Sequence, residues 1–205
     1  MDQHALSAIQ RRIHAAAIRL FAERGVAQVT VSELADYAGM ARGTIYNNVP
    51  SLETLFEEVA SHLAWEMNER IVTSFHSENP AERLAMGVRA YLRRAHEEPE
   101  WGRFIARFAQ TTASLRMLVM GEPAKDVCMA MKAGHFRLSE DQIPTVVAMV
   151  GSAVIGAIYL VREGVKTWRS AGSEVAEFLL RALGIDEAEA KRISQSELPP
   201  LQDIH

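Results

Sequence analysis

Thr30-Val31-Ser32-Glu33-Leu34-Ala35-Asp36-Tyr37-Ala38-Gly39-Met40 runs directly into Ala41-Arg42-Gly43-Thr44-Ile45-Tyr46-Asn47-Asn48-Val49-Pro50, and the reading of this stretch decides the fold. Thr30 stands three residues before Glu33, the spacing of a capping box in which each side chain bonds the other residue's backbone N–H. Val31, Leu34, Ala35 and Ala38 then share one helical face, and Gly39 ends the segment after barely two turns. Only the Gly39-Met40 connection separates it from another short helix, Ala41 to Val49, which Pro50 stops because proline disfavours a helical residue before it.

Working outward, Leu6, Ile9, Ile13, Ala16, Ala17 and Leu20 recur at threes and fours, with Gly25 placed for a left-handed cap. The only strand-like alternation is Val29-Thr30-Val31. Downstream, Ser51 to Ser77 contains neither proline nor glycine, and Asn79-Pro80-Ala81-Glu82 supplies an N-cap and a first-turn proline for a helix to about Glu98. Pro99, Gly102, Gly121, Pro123 and Gly134 divide the middle into shorter helices. Ser139 and Gln142 are spaced to cap a long helix, although Pro144 falls in its first turns; a last helix is expected between Gly172 and Gly184, and beyond Ile185 a frayed tail ending in Leu198-Pro199-Pro200. The chain reads as all-α, with a three-helix unit over residues 1–50, a larger helical domain over 51–185 and a tail over 186–205.

Composition narrows the class. Of 205 residues, 48% are apolar and 23% charged, which excludes a disordered or collagen-like chain and provides for a sizeable core. Cys128 is the single cysteine, so no internal disulfide forms, and residues 1–12 are too polar for a signal peptide; the cytoplasm is the expected location. Up to Pro50 five basic residues face four acidic ones, leaving +1 there and, from a total of -4, -5 in the remainder. Nucleic-acid binding must then rest on placed contacts rather than on bulk charge.

Two short helices joined by a glycine turn and preceded by a supporting helix fit the helix-turn-helix that reads the DNA major groove. Arg12-Ile13-x-x-Ala16-Ala17, Leu20-Phe21-Ala22-Glu23-Arg24-Gly25, Thr30 through Met40, and Arg42-Gly43-Thr44-Ile45-Tyr46 closely resemble the N-terminal domain of the TetR family of bacterial transcriptional regulators, over about residues 8–56. The resemblance implies that Arg42, Gly43 and Tyr46, with Ser32, lie nearest the base edges and that Thr44 and Asn48 contact phosphate. Chemistry agrees: an arginine early in a groove helix can pair with guanine O6 and N7, a glycine permits close backbone approach, and Asn47 can reach an adenine edge or a phosphate. Two residues depart from the family pattern, Asn48 where an aromatic or histidine is usual and Leu52 where a phosphate-binding lysine is usual.

The remainder is read on physics. Twenty successive residues between Asp141 and Arg162 carry no formal charge, long enough to span a bilayer, but Gln142, Pro144, Thr145, Gly151, Ser152 and Gly156 dilute them. Ala148, Ser152 and Gly156, at steps of four, make a flat ridge for close helix packing, and Val175, Phe178 and Leu179 provide a second stripe; together they are the expected homodimer seam. Six of nine methionines fall in the middle helices, among aromatic residues. The candidates for an effector pocket are Trp101, Phe104, Arg107, Phe108, Met117, Met120, Cys128 and Met131, with Arg103, Gln110 or Thr111 as further polar handles. No HExxH, CxxC, G-x-S-x-G or phosphate-loop motif occurs, and Glu58 with His62 alone makes no site, so neither catalysis, a metal nor a cofactor is expected. The expected function is a ligand-responsive regulator, a homodimeric repressor that binds a palindromic DNA operator and is released by a small, largely apolar effector, without a membrane. A membrane-tethered regulator and a helical-bundle enzyme are the alternatives.

Overall fold

The structure, a computed structural model, describes residues 6–203, with Met117 and Val119 described in their backbone only. Among the described residues there are eleven α-helices and no strand. Three short helices come first: α1 (Ala8–Arg24), α2 (Val31–Ala38) and α3 (Arg42–Asn48). Ile13, Ala17, Leu20 and Phe21 of α1 bury against Leu34 and Ala35 of α2 and Ile45 of α3, so the expected apolar stripes meet in one core. The Thr30–Glu33 capping box forms with both of its bonds. Gly25 has φ 84 but ψ 158, so the chain leaves α1 into a one-turn 3₁₀ segment, Val26–Gln28, rather than through the expected left-handed cap. A positive φ is still required there, which is why glycine holds the position.

The long α4 (Leu52–Ser74) follows α3 after Pro50 and connects the two halves. Next come α5 (Pro80–Glu97), α6 (Pro99–Phe108), α7 (Met117–Met120), α8 (Glu122–Lys132), α9 (Ile143–Arg162), α10 (Trp168–Ala182) and α11 (Glu187–Ser194). Helix α5 is the hub: it packs on α6, α8, α9, α10 and α11, and most of its residues are buried. Glycine sets two of these contacts. A Cβ on Gly102 of α6 would lie 2.8 Å from the Ala95 carbonyl oxygen of α5, and one on Gly172 of α10 would lie 3.3 Å from Arg89 Cγ. Both glycines are therefore packing positions inside helices. In the sequence they look like breaks, and α10 accordingly begins four residues before Gly172, capped by Thr167.

Two further expectations change. The Ser139–Gln142 box caps a 3₁₀ turn over Glu140–Gln142, and α9 starts after it with Pro144 in its first turn, where a missing N–H costs no helical bond. The tail past Ile185 is not frayed: Asp186 caps α11 by accepting from Glu189 N at 3.1 Å, Ala190 and Ile193 are buried, and Gln202 N donates to Ser74 Oγ at 2.8 Å. Burial against α5 and α10 supplies the driving force that the short, charged sequence of α11 conceals.

Candidate DNA-binding surface and effector cavity

Arg12 of α1 fixes the turn between α2 and α3. Its Nη2 donates to the carbonyls of Ala38 at 2.7 Å and Gly39 at 3.0 Å, while Gly39 adopts the left-handed conformation (φ 61, ψ 43) that reverses the chain. At the other end of α2, Glu33 accepts from Thr30 N and pairs with Arg24, joining the end of α1 to the start of α2. The bonds from Thr30, then the charge of Arg24, hold the Glu33 carboxyl below its usual range, so it stays ionised. With Ile45 and Val49 buried, α3 turns Arg42, Gly43, Tyr46, Asn47 and Asn48 to the surface; Tyr46 is 66% exposed. Thr44 and Ser32 are half-buried at the edges of this face. Asn48 Nδ2 donates to the Thr44 carbonyl at 2.8 Å, which leaves its second N–H available for a phosphate. Leu52 packs partly on the core, and Ser51 caps α4 by accepting from Thr54 N.

The helical domain grips this unit at two places. Arg107 of α6 donates from Nη1 to the Ala22 and Glu23 carbonyls, at 3.1 and 3.2 Å, satisfying the open C-terminal end of α1. A Cβ on Gly25 would lie 2.9 Å from Arg107 Nη2, so glycine is needed there for space as well as for φ. At the second place, His14 of α1 meets His62 of α4 edge-on, with ring centroids 5.7 Å apart. Burial, and secondarily the His62 charge, lower the His14 pKa from 6.5 to about 4, so the ring is neutral at pH 7. Helix α4 is in turn tied to α5: Arg94, only 3% exposed, takes both Glu66 oxygens at 2.9 and 3.0 Å and Glu98 at 3.0 Å.

A cavity of about 40 Å³ lies between α4, α5, α6, α7, α8 and α9. Its walls are apolar, with Ile71 from α4, Leu84 and Val88 from α5, Ile105 from α6, Leu118 from α7 and Val150 and Val154 from α9. Gly87 belongs to the α5 wall, and a Cβ placed on it would meet no described atom within 4 Å. Polar groups are few. The Tyr91 hydroxyl donates to the Leu118 carbonyl at 3.0 Å, and burial pushes its pKa up. Arg83 Nε pairs with Asp126 at 2.8 Å; burial raises the Asp126 pKa and the bond to Arg83 opposes it.

None of the described side chains among the eight pocket candidates lines this cavity. Trp101 and Phe104 are buried elsewhere in the core, Phe108 meets Phe56 edge to face, Arg107 caps α1, Met120 is 55% exposed, and Cys128 and Met131 are half-buried on α8. The Met117 side chain lies outside the described residues. Of the handles, Arg103 pairs with Glu100, and the Thr111 hydroxyl donates to the Phe108 carbonyl. Packing turns the described candidate side chains away from this cavity.

Two family models match the chain. Bacterial regulatory proteins of the tetR family match residues 13–59, and the tetracyclin repressor-like C-terminal domain matches residues 79–196, more than half of the chain. This chain belongs to the TetR family. It is therefore a non-enzymatic DNA-binding transcription regulator of a family whose members bind operator DNA and small molecules and act as dimers. Among solved structures it resembles RolR without ligand (27% identity, TM-score 0.67, 94% of this chain and 100% of that one) and RolR in complex with resorcinol (24%, 0.69, 95% and 96%). A tetR-family regulatory protein from Rhodococcus RHA1 shares the fold at 20% identity, with TM-score 0.73, over 88% of this chain and 100% of that one. No curated protein sequence matches at a significant level.

In this TetR-family chain all but one of the expected dimer residues are at least partly exposed. Ala148, Ser152 and Gly156 of α9 are exposed, Val175 is half-buried and Phe178 of α10 is 60% exposed, whereas Leu179 turns inward and is buried in the chain's own core. Leu179 therefore does not belong to the exposed face on which the seam is expected. The segment Glu140–Arg162 is long and apolar enough to cross a membrane. Its other face packs against α5, α6, α8 and α10 through Val147, Val150, Val154 and Ile158.

Proposed function

We propose that the chain is a homodimeric repressor that reads an inverted-repeat operator with α3 and is released when a small, largely apolar effector occupies the α5 cavity, acting in the cytoplasm and without a membrane. One observation carries this reading: α4 follows the recognition helix directly at its start, and near its end it places Ile71 in the cavity wall. A cavity of about 40 Å³ has room for water but is well below the ~150 Å³ that accepts benzene. An effector with a ring must widen the cavity, and widening displaces α4 and α7. The effector then binds one arrangement of the heads more tightly than the other, which coupling requires. RolR, which binds resorcinol, supports a small hydroxylated ring as the effector class, with the Tyr91 hydroxyl and the Arg83–Asp126 pair as its polar partners.

Selection from random duplexes at low salt tests the reading. It should return an inverted repeat with half-site centres at least about one helical turn (~34 Å) apart. Arg42→Ala should cost about 1–3 kcal/mol and relax preference at one base pair per half-site. The effector should weaken operator binding by the same factor by which operator weakens the effector. Recovery of no repeat, or equal effector affinity with and without operator, refutes the proposal.

A further inference from the structure

A second recess lies outside the cavity, between α6 and α9 beside the end of α1, with a volume of about 560 Å³. Three arginines line it: Arg103 and Arg107 from α6 and Arg162 from the last turn of α9. Only Arg103 has a carboxylate partner, Glu100, and its Nε has no hydrogen-bond partner among the described residues. Arg107 bonds only carbonyls, and among the described residues Arg162 has no ion pair. In a chain of net charge -4, three guanidinium groups around one recess with a single paired carboxylate form a local cationic site. The rest of the wall comes from Ala22, Ala106, Ile155 and Gly156, with the Tyr159 ring at its exposed rim; Gly156 is also an expected dimer residue, so the recess shares that residue with the expected subunit seam.

We infer that this recess binds a small carboxylate with a short apolar body, as a second effector site separate from the α5 cavity. The guanidinium groups supply the charge-assisted, two-pronged donors that a carboxylate matches, and Ala106 and Ile155 cover the body. The site reports to the DNA-binding unit through Arg107. Arg107 caps the Ala22 and Glu23 carbonyls, and a bound carboxylate competes for the same guanidinium, loosening the last turn of α1.

Calorimetric titration of the full chain at fixed ionic strength tests this, with benzoate, inorganic phosphate and the neutral benzyl alcohol as probes. Benzoate should bind saturably, Arg162→Gln should weaken it at least tenfold, and benzyl alcohol should bind both proteins alike. Phosphate, which has no apolar body, should bind more weakly and respond to the same variant. Hydrogen exchange in the last turn of α1 should quicken when benzoate is bound. Benzoate affinity unchanged in both Arg162→Gln and Arg103→Gln overturns the site, and phosphate binding as tightly as benzoate overturns the ligand class. Saturable binding without faster exchange in α1 overturns the coupling. If Arg162→Gln weakens self-association in sedimentation while benzoate binding is unchanged, the recess is a subunit contact and the inference fails. All of these failures leave the α5 cavity reading untouched, because benzyl alcohol and Gly87→Ala examine that cavity independently.

Discussion

Replacing Gly87 by alanine should stabilise the free protein and impair the effector at the same time. Gly87 lies inside α5, where alanine is favoured over glycine by about 1 kcal/mol. The new methyl enters a cavity of about 40 Å³ with no described atom within 4 Å of its Cβ, so it is buried without a clash. Burying one such group adds about 0.8 kcal/mol, giving a net gain of about 1–2 kcal/mol. For a chain of this size that raises the melting temperature by about 3–6 °C, measured at fixed protomer concentration because association also stabilises. The same methyl takes the space an effector ring needs and should weaken a small ring such as phenol at least tenfold, or about 1.4 kcal/mol. Urea denaturation and calorimetric titration of the two proteins read both effects. A Gly87→Ala protein less stable than the parent means that the cavity is not there; a more stable one that binds the ring as before means that the cavity is not the effector site.

Gly102→Ala should do the opposite: its Cβ meets the Ala95 carbonyl at 2.8 Å, so α5 and α6 must separate, and denaturation should show a loss of about 1–3 kcal/mol despite better helix propensity. Gly156→Leu, at an exposed site with no described atom within 4 Å of the Cβ, should leave the fold intact and shift sedimentation from dimer toward monomer. His14 has a folded pKa of about 4 against 6.5 for the free side chain. The unfolded chain therefore binds more protons between those values, and stability falls as the pH drops from 6.5 towards 4, by up to about 3 kcal/mol. His14→Leu should remove that portion of the acid dependence, and denaturation at pH 7 and pH 4.5 compares the two proteins.

The local signals of this chain were legible because they are set by neighbours in sequence. The Thr30–Glu33 box, the helix-ending Gly39 and the first-turn Pro80 each act within a few residues, and together with the Gly-Thr-Ile-Tyr run they carried the fold class and the family. The long uncharged run pointed in the same way to α9, and the exposure of Ala148, Ser152 and Gly156 agrees with their spacing. For α11, a signal was present in Asp186, three residues before Glu189, but so short a helix has no stability without the surface that buries Ala190 and Ile193.

Which side of each middle helix faces inward was decided by the tertiary structure alone. Trp101, Phe104 and Met120 have the chemistry of a pocket, yet the cavity is walled by Leu84, Val88, Ile105 and Val154 and opens beside a glycine, Gly87. An internal void is the space left where six helices fail to fill one volume, and no single helix's periodicity encodes it. For the same reason Gly102 and Gly172 read as breaks in sequence and became positions of close helix contact in the fold, since a missing Cβ serves a turn or a neighbouring backbone equally well. Arg107 is the sharpest case: residues 84 and 85 positions away, Glu23 and Ala22, decide its role, and only folding brings them within reach.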